Sequence, residues 1–165
     1  HHEKNQGFGG AMWTLYLNAK KDLVFTLPGD AQFDPKEFKK MYPWLEDNDL
    51  IVGLRKNRGD TLPRRLQSAV YNALVSLMAG KRFYDVNSIK LAKRKVLHDF
   101  RIETKSAFID AELCIKASKR KFKVMEVPIL HKERSIGVGC GSDPKVIKAT
   151  ISDFLKMWKR IRKFR

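Results

Sequence analysis

Two oxygen-bearing side chains, Asp30 and Gln32, directly follow an apolar run that ends in Pro-Gly. Such a run is typical of a buried strand followed by a turn, and ligands of open α/β sheets bind beyond the carboxyl ends of the strands. A carboxylate and a carboxamide at this place could hold a hard divalent cation against a phosphate. The alternative is that Asp30 only caps the turn, as Asp34 would cap the helix that begins at Pro35.

Cationic side chains follow the second predicted strand, residues 50–54. They are Arg55, Lys56 and Arg58, with Arg64 and Arg65 in the first turn of the next helix. We expect these cations at the same sheet edge as Asp30, because both groups follow the carboxyl end of a strand. Guanidinium groups suit phosphate oxygens, so the cluster predicts a bound oxyanion, with a solvated charged loop as the alternative.

Two glycine-rich segments are further candidates for ligand contact. Residues 7–10 precede a predicted helix, where backbone N–H groups and the positive helix end could meet a phosphate; the alternative is a tight helix-entry turn. Residues 137–142 follow His131 and Arg134, a combination typical of a flap that closes on a charged ligand. The alternative is a flexible exit loop, and His131 alone is expected to be structural.

Hydrophobic periodicity predicts the elements that would position these residues. Helices are predicted at 11–20, 35–45, 62–78, 106–119 and 144–165, and strands at 22–27, 50–54 and 122–130, the last broken at Pro128. Residues 85–97 are predicted to be irregular with a short helix. The helix at 62–78 has one apolar side, formed by Leu66, Val70, Ala73, Leu74 and Leu77. No repeat or linker divides the chain, so one domain is expected.

Composition limits the classes of partner. The 34 Lys and Arg against 18 Asp and Glu give a formal net charge of +16, which favours nucleic acid, anionic lipid or phosphorylated substrates. The isolated Cys114 and Cys140 lack zinc-ligand spacing and suit a reducing compartment, so we expect cytosolic exposure. No apolar run is long enough to span a bilayer, and no export leader is recognisable, so membrane contact is expected to be peripheral. The basic amphipathic helix at 144–165 is its candidate, unless its apolar stripe packs on the domain.

Eight motifs that cover nearly the whole chain occur in the order found in one known family. They are Asn5-x-Gly7-x-Gly9-Gly10-Ala11, Gly29-Asp30-x-Gln32-Phe33-Asp34, Ile51-Val52-Gly53-Leu54-Arg55, Arg65-x-x-Ser68-x-x-x-Asn72, Asp85-x-Asn87-x-x-Lys90-Leu91, Glu112-Leu113, Glu126-Val127-Pro128-Ile129 and Arg134-x-x-Gly137. On these motifs the chain resembles inverting family-two glycosyltransferases, in the polyprenyl-phosphate (dolichol-phosphate) mannosyl- and glucosyltransferase branch.

The resemblance implies a fold of class α/β, a partial GT-A (Rossmann-like) fold with three α/β/α layers over residues 1–165. It implies an inverting hexosyltransferase that moves a sugar from a nucleotide-sugar to a polyprenyl (dolichyl or undecaprenyl) phosphate. The expected place is the cytoplasmic face of a membrane, in cell-envelope or glycoprotein glycan synthesis. Family members begin with further βα units that carry the nucleotide-base pocket. Residues 1–165 therefore correspond to the metal, sugar and acceptor half, and we expect weak donor binding, poor stability and little activity from this half alone.

The same resemblance implies a metal site. Asp30 corresponds to the second Asp of the family's DxD motif, which binds Mg²⁺ or Mn²⁺ and the donor diphosphate, and Gln32 corresponds to the glutamine that accompanies it. Pro28 stands where the first Asp usually is, so the metal would have one anionic ligand fewer. Asn5 and Gly7 are assigned by the resemblance to binding of the donor.

Cations complete the implied site. Arg55 and Arg65, with Arg64 as a further candidate, would hold the acceptor phosphate. Arg134 would close over the donor diphosphate, and Lys145 is a weaker candidate. A phosphomonoester acceptor is largely ionised near neutral pH, so a dedicated general base is not obligatory. A sugar hydroxyl acceptor would need one, and the candidates would then be Asp34 and Asp85.

Two alternatives to a glycosyltransferase remain open. A basic nucleic-acid-binding domain is supported by the net charge and by Phe33, Tyr71 and Phe83, aromatic residues that could stack on bases. No helix-turn-helix, RRM or zinc motif accompanies them, and the family resemblance implies no nucleic-acid partner. A degenerate, non-catalytic glycosyltransferase-like protein is the second alternative, supported by Pro28.

Overall fold

Helices and strands alternate along the chain, except that the helices at 94–98 and 109–119 follow each other without a strand between them. A computed structural model describes residues 1–56, 59, 61–132 and 143–161. Its elements are α1 (Gly7–Asn18), β1 (Leu23–Thr26), α2 (Phe38–Met41), β2 (Leu50–Lys56), α3 (Leu62–Ala79), β3 (Lys90–Lys93), α4 (Arg94–His98), α5 (Ile109–Lys119), β4 (Val124–Leu130) and α6 (Pro144–Ile161), with 3₁₀ turns Pro35–Glu37 and Tyr42–Leu45 on either side of α2.

The strands form one mixed four-stranded sheet in the order β1-β3-β2-β4. β3 is antiparallel to both of its neighbours, whereas β2 and β4 are parallel. It follows that β1, β2 and β4 all run in the same direction. Their carboxyl ends therefore share one edge of the sheet with the amino end of β3, and we call this edge the site edge.

Alternating side chains of the strands build a core on each face of the sheet. Leu50 and Val52 of β2 belong to a cluster with residues of α1, α3, α5 and α6. Ile51 belongs to a second cluster with Met41 and Leu45, from the short helical segments around α2. The sheet is thus covered on both faces, and the three-layer α/β/α arrangement predicted from the sequence is confirmed.

The apolar side of α3 faces away from the core. The buried residues of this helix are Asn72, Val75, Met78 and Ala79, whereas the side predicted from the sequence lies on the outside. The helix ends where predicted, because Gly80 adopts a left-handed φ of 70°, which favours glycine. The periodicity therefore located the helix correctly but did not indicate which side is buried.

The prediction for residues 85–97 was incomplete. The short helix is present as α4, but it is preceded by β3, a strand of four residues with a lysine at each end. Two lysines in so short a segment hide the apolar pattern of a strand. Lys90 is nevertheless buried, because its ammonium group finds three oxygen acceptors.

Two other predicted boundaries were wrong for local reasons. The helix predicted at 35–45 is divided into the two 3₁₀ turns and α2, and Pro43 lies in the first turn of the second 3₁₀ segment. β4 is not broken at Pro128. That residue is exposed and pairs with Leu54 in a strand that has a partner on one side only among the described residues, a place where a missing N–H is tolerated.

Candidate active site

The loop after β1 carries Asp30 and Gln32 at the site edge. The Asp30 carboxylate accepts a hydrogen bond from the Gln32 N–H at 3.2 Å, which is the capping contact considered for the turn. Between them, Ala31 has a φ of 59°, in the left-handed region that is unfavourable for a residue with a Cβ. The loop thus has a strained backbone between the two candidate ligands, and such strain is common at functional sites.

Gln32 also joins this loop to the end of β4. The Lys132 N–H donates to the Gln32 carbonyl at 2.8 Å, and the Gln32 side-chain amide donates to the Lys132 carbonyl at 3.4 Å. Beside them, the rings of Phe33 and His131 meet edge to face, with centroids 5.0 Å apart. His131 therefore has a packing role, as expected, and the loops after β1 and β4 form one connected surface.

A buried carboxylate strengthens the same connection. Glu37, in the first 3₁₀ turn, accepts a hydrogen bond from the Leu130 N–H at 3.3 Å and pairs with Lys40 at 2.8 Å. The sequence pattern did not single out Glu37. The only indication of Glu37 in the sequence was its position three residues after Asp34. Asp34 caps the same turn by accepting a hydrogen bond from the Lys36 N–H.

Arg55, at the end of β2, forms a fork with Asp85. The Arg55 Nε lies 2.7 Å from one Asp85 oxygen and the Nη2 lies 2.6 Å from the other. Both side chains are largely shielded from solvent. Sequence reasoning assigned Arg55 to a phosphate and Asp85 to proton transfer, and it did not foresee that the two residues pair with each other.

The loop that carries Asp85 is held by two further polar side chains. The Glu126 carboxylate accepts from the N–H groups of Tyr84 and Asp85, at 3.0 and 2.8 Å, and the Asn72 side chain accepts from the Val86 N–H at 3.1 Å. Burial, aided by the Asp85 charge, raises the pKa of Glu126 above its ordinary value although the N–H bonds oppose this. Both residues belong to the family motifs, but no role was assigned to either.

Lys90, at the amino end of β3, pairs with a further carboxylate near the site edge. Its ammonium group donates to the carbonyls of Val86 and Ser88, each at 2.9 Å, and to Asp110 of α5 at 2.6 Å. Burial, and then the Asp110 charge, raise the pKa of the Tyr16 and Tyr71 hydroxyls. These two phenols therefore stay neutral.

The glycine-rich segment predicted to precede a helix at residue 11 instead forms the beginning of α1, which starts at Gly7, and two of its N–H groups have partners within the chain. The Gly7 N–H donates to the Asn5 side chain at 2.8 Å, and the Gly9 N–H donates to the Lys105 carbonyl at 3.1 Å. A Cβ on Gly9 would lie 2.6 Å from the Lys105 carbonyl carbon, so this glycine permits close packing of two backbone segments. These contacts favour the helix-entry turn over a phosphate-binding loop.

The remaining predicted residues lie on separate parts of the chain. Arg64 and Arg65 are exposed in the first turn of α3, and Lys145 is exposed in the first turn of α6. Arg58 and Arg134 lie outside the described residues. The aromatic residues proposed to stack on bases are not available for it, because Phe33 and Phe83 are buried and Tyr71 is half-buried.

The oxygen atoms of Asp30 and Gln32 are too few to hold a metal ion by themselves. Within the described segments, no group of three or more His, Cys, Asp or Glu side chains could hold a metal ion. Mg²⁺ commonly binds through one or two carboxylates and takes its other ligands from water and substrate phosphates. One carboxylate and one carboxamide fit that pattern, provided that a diphosphate supplies further oxygens.

No helix in the described part of the chain has the length and apolar character needed to cross a bilayer.

Comparisons with known proteins agree on one family. The family model described as "Glycosyl transferase family 2" matches residues 1–109.

Two curated proteins, each named undecaprenyl-phosphate 4-deoxy-4-formamido-L-arabinose transferase, are similar to this chain. The one from Sodalis glossinidius is 30% identical over 137 residues, 81% of this chain and 41% of that protein. The one from Pectobacterium atrosepticum is 31% identical over 147 residues, 87% of this chain and 44% of that protein. The chain thus spans less than half the length of these relatives.

Solved structures show the same architecture. Glucosyl-3-phosphoglycerate synthase from Mycobacterium tuberculosis, in complex with phosphoglyceric acid, superposes with a TM-score of 0.71 at 13% identity, over 94% of this chain and 56% of that one. The same enzyme in complex with Mn²⁺, UDP-glucose and phosphoglyceric acid gives a TM-score of 0.65 at 16% identity, over 90% of this chain and 55% of that one. At these identities the similarity concerns the fold.

Proposed function

Because this chain belongs to glycosyl transferase family 2, we propose that it transfers a sugar from a nucleotide-sugar donor to a polyprenyl phosphate at a membrane surface. The names of the two curated relatives support this acceptor class. The GT-A fold expected from the resemblance is confirmed by the similarity to the synthase structures. We propose that residues 1–165 form one domain, the half of a GT-A unit that handles metal, sugar and acceptor.

One observation carries the proposal: the Asp30–Gln32 loop stands at the site edge and is hydrogen-bonded to the end of β4. This gives two candidate ligands a fixed place beyond the carboxyl ends of parallel strands, where α/β proteins bind nucleotides. The resident cation would be Mg²⁺ or Mn²⁺, held by Asp30 with Gln32 beside it. When bound, such a cation neutralises charge that develops on the leaving diphosphate.

The cationic residues would hold the two phosphate-bearing substrates. We propose that Arg65 and Arg64 bind the acceptor phosphate, and their exposure at the start of α3 supports this. We propose that Arg55 acts on the same group while the fork with Asp85 keeps its guanidinium plane fixed. Arg134 would close over the donor diphosphate, as the family resemblance implies.

The proposed reaction does not require a side chain that acts as a general base. A phosphomonoester acceptor is largely ionised near neutral pH, so its oxygen can attack the anomeric carbon without a base. Both oxygens of Asp85 contact Arg55, which makes this carboxylate a poor candidate for abstracting a proton. The work of the site is therefore to align the attack and to stabilise the charge on the leaving group.

We propose that the protein acts peripherally, at the cytoplasmic face of a membrane. Its strong positive charge supports binding to an anionic lipid surface. The nucleic-acid alternative has the same charge in its favour, but its three aromatic residues are shielded.

The test is titration calorimetry with GDP-mannose, UDP-glucose and UDP-N-acetylglucosamine, with and without Mn²⁺, followed by a transfer assay with undecaprenyl phosphate. We expect Asp30→Asn to abolish Mn²⁺-dependent donor binding, because a neutral amide replaces the only carboxylate of the proposed site. Asp34→Asn is the matched control, since Asp34 caps the Lys36 N–H instead. Equal donor binding by Asp30→Asn and the unchanged protein would contradict the assignment of the metal site.

A further inference from the structure

The outward side of α3 is apolar along the whole helix. Its large residues and their exposed fractions are Leu62 78%, Leu66 66%, Val70 53%, Leu74 39% and Leu77 67%. With 3.6 residues per turn, these side chains and the exposed Ala69 and Ala73 fall within an arc of about 140°, and no polar residue lies inside that arc. We call this surface the α3 apolar face.

Such a face differs from the single exposed apolar residues that every protein has. From Leu62 to Leu77 it extends over about 22 Å of helix, at 1.5 Å per residue. Contiguous apolar patches of this kind mark a protein or membrane interaction site. The α3 apolar face is not part of the core, because α3 packs on the core through its opposite side, which includes Val75 and Met78.

The charges at the two ends of the helix indicate the kind of partner. Arg64 and Arg65 are exposed in the first turn, and Lys81 and Arg82 are exposed just beyond Gly80. An apolar side with cations at both ends is complementary to an anionic bilayer, where acyl chains lie beneath a layer of phosphates. A second copy of this chain, itself at +16, would bring like charges together.

We propose that α3 docks the protein on an anionic membrane, with the α3 apolar face immersed in the interface. In its choice of a lipid partner this rests on the proposed function, but it does not require that sugar transfer occurs. β2 ends at Lys56 and α3 begins at Leu62, so the helix starts beside the site edge. Docking through α3 therefore brings the site edge to the level of the lipid phosphates.

The terminal helix α6 is less suited to this role than its sequence indicates. Its Phe154, Trp158 and Ile161 pack against the core, and Met157 is buried there. Among the described residues of α6, only Ile151 and Leu155 remain as large exposed apolar side chains. The alternative weighed for this stripe, that it packs on the domain, is therefore the better description of most of it.

The experiment is co-sedimentation with vesicles of phosphatidylcholine, with and without one third phosphatidylglycerol. We expect binding only to the anionic vesicles, and at least about a tenfold loss of affinity for the double variant Leu66→Gln, Leu77→Gln, since each leucine side chain loses burial in the interface. Leu15→Gln, Leu17→Gln on α1 is the matched control, because those leucines are 62% and 51% exposed. All four positions are exposed, and circular dichroism verifies that each variant is folded.

Three outcomes would overturn the proposal. The first is no binding of the unchanged chain to anionic vesicles. The second is that Ile151→Gln, Leu155→Gln abolishes binding while the α3 variant retains it. The third is that the α3 substitutions convert a dimer into a monomer, measured by analytical ultracentrifugation, without affecting vesicle binding. The vesicles contain no polyprenyl phosphate or nucleotide-sugar, so a failure of transfer would not be mistaken for a failure of docking.

Discussion

Several single side chains in this protein hold backbone segments in place through hydrogen bonds. Glu126, Asn72 and Glu37 each accept hydrogen bonds from main-chain N–H groups next to the site edge. Replacing such an acceptor leaves a partly buried N–H unsatisfied, which costs about 1–3 kcal/mol. These residues are positioning residues for the loops that carry Asp30 and Asp85.

Gly9 provides a direct test of close backbone packing. Alanine at this helical position would gain up to about 1 kcal/mol in helix propensity. Its Cβ would lie 2.6 Å from the Lys105 carbonyl carbon, and backbone cannot move aside cheaply. We expect the overlap to dominate, so that Gly9→Ala lowers the free energy of unfolding by about 2 kcal/mol in urea titration.

Gly29→Ala is the control for that measurement. A Cβ on Gly29 would meet nothing within 4 Å, so we expect a change of less than about 0.5 kcal/mol. Equal stability of the two variants would contradict the packing described for the glycine loop and Lys105.

Asp49 predicts a pH dependence of stability. Burial acts to raise its pKa, but the Lys95 ammonium at 2.7 Å and the Lys123 N–H at 3.0 Å outweigh burial and hold the pKa below its ordinary value of 3.8. A carboxyl with a lowered pKa in the folded state stabilises the fold above its ordinary pKa. That stabilisation is lost as the pH falls through the lowered pKa.

We therefore expect Asp49→Asn to be less stable than the unchanged protein near neutral pH. The difference in the free energy of unfolding should shrink as the pH falls below 3.8. Urea titrations over a series of pH values measure both curves. A constant difference across that range would show that the Asp49 carboxylate is not preferentially stabilised in the folded state.

Among the helices, α6 makes the sharpest distinction between its two sides. Phe154 meets the rings of Phe108 and Trp158, with centroids 6.0 and 5.8 Å apart, whereas Leu155 is 53% exposed. We expect Phe154→Ala to destabilise the fold by about 2 kcal/mol, less than for a fully buried ring, and Leu155→Ala to have little effect. Thermal unfolding compares them, and equal losses would mean that α6 does not pack as described.

Elements with a strong pattern were predictable, and those that depend on distant partners were not. The apolar run of β2 and the amphipathic α3 were found because their periodicity is local. β3 was missed because Lys90 looks polar until the carbonyls of Val86 and Ser88 and the Asp110 carboxylate surround it. The outward side of α3 was equally hidden, since periodicity defines two sides without saying which one the sheet will cover.

The candidate site was predictable to a similar extent. Asp30, Gln32 and Arg55 lie at the site edge as expected, because each follows or ends a strand and β1 and β2 run in the same direction. The fork between Arg55 and Asp85 joins residues thirty positions apart, and no local pattern encodes such a contact. The roles of the predicted site residues stay predictions.

At the scale of the whole molecule, β2 is an inner strand of the sheet. It is paired on both sides, and Leu50, Ile51 and Val52 are fully buried. β1 has one strand partner among the described residues, and its four residues are only half-buried. The outer side of β1 therefore has main-chain groups without a ladder in the described structure, and such an edge is prone to pair with other strands.

The order in which the strands are synthesised differs from their order in the sheet. β1 and β2 share no ladder, and both pair with β3, which is made after them. Among the described strands, β1 and β2 therefore have no partner in the nascent chain until β3, which begins at Lys90, has left the ribosome. During that interval the strands can pair with neighbouring chains, so the speed of translation between β2 and β3 would influence how much protein reaches the folded state.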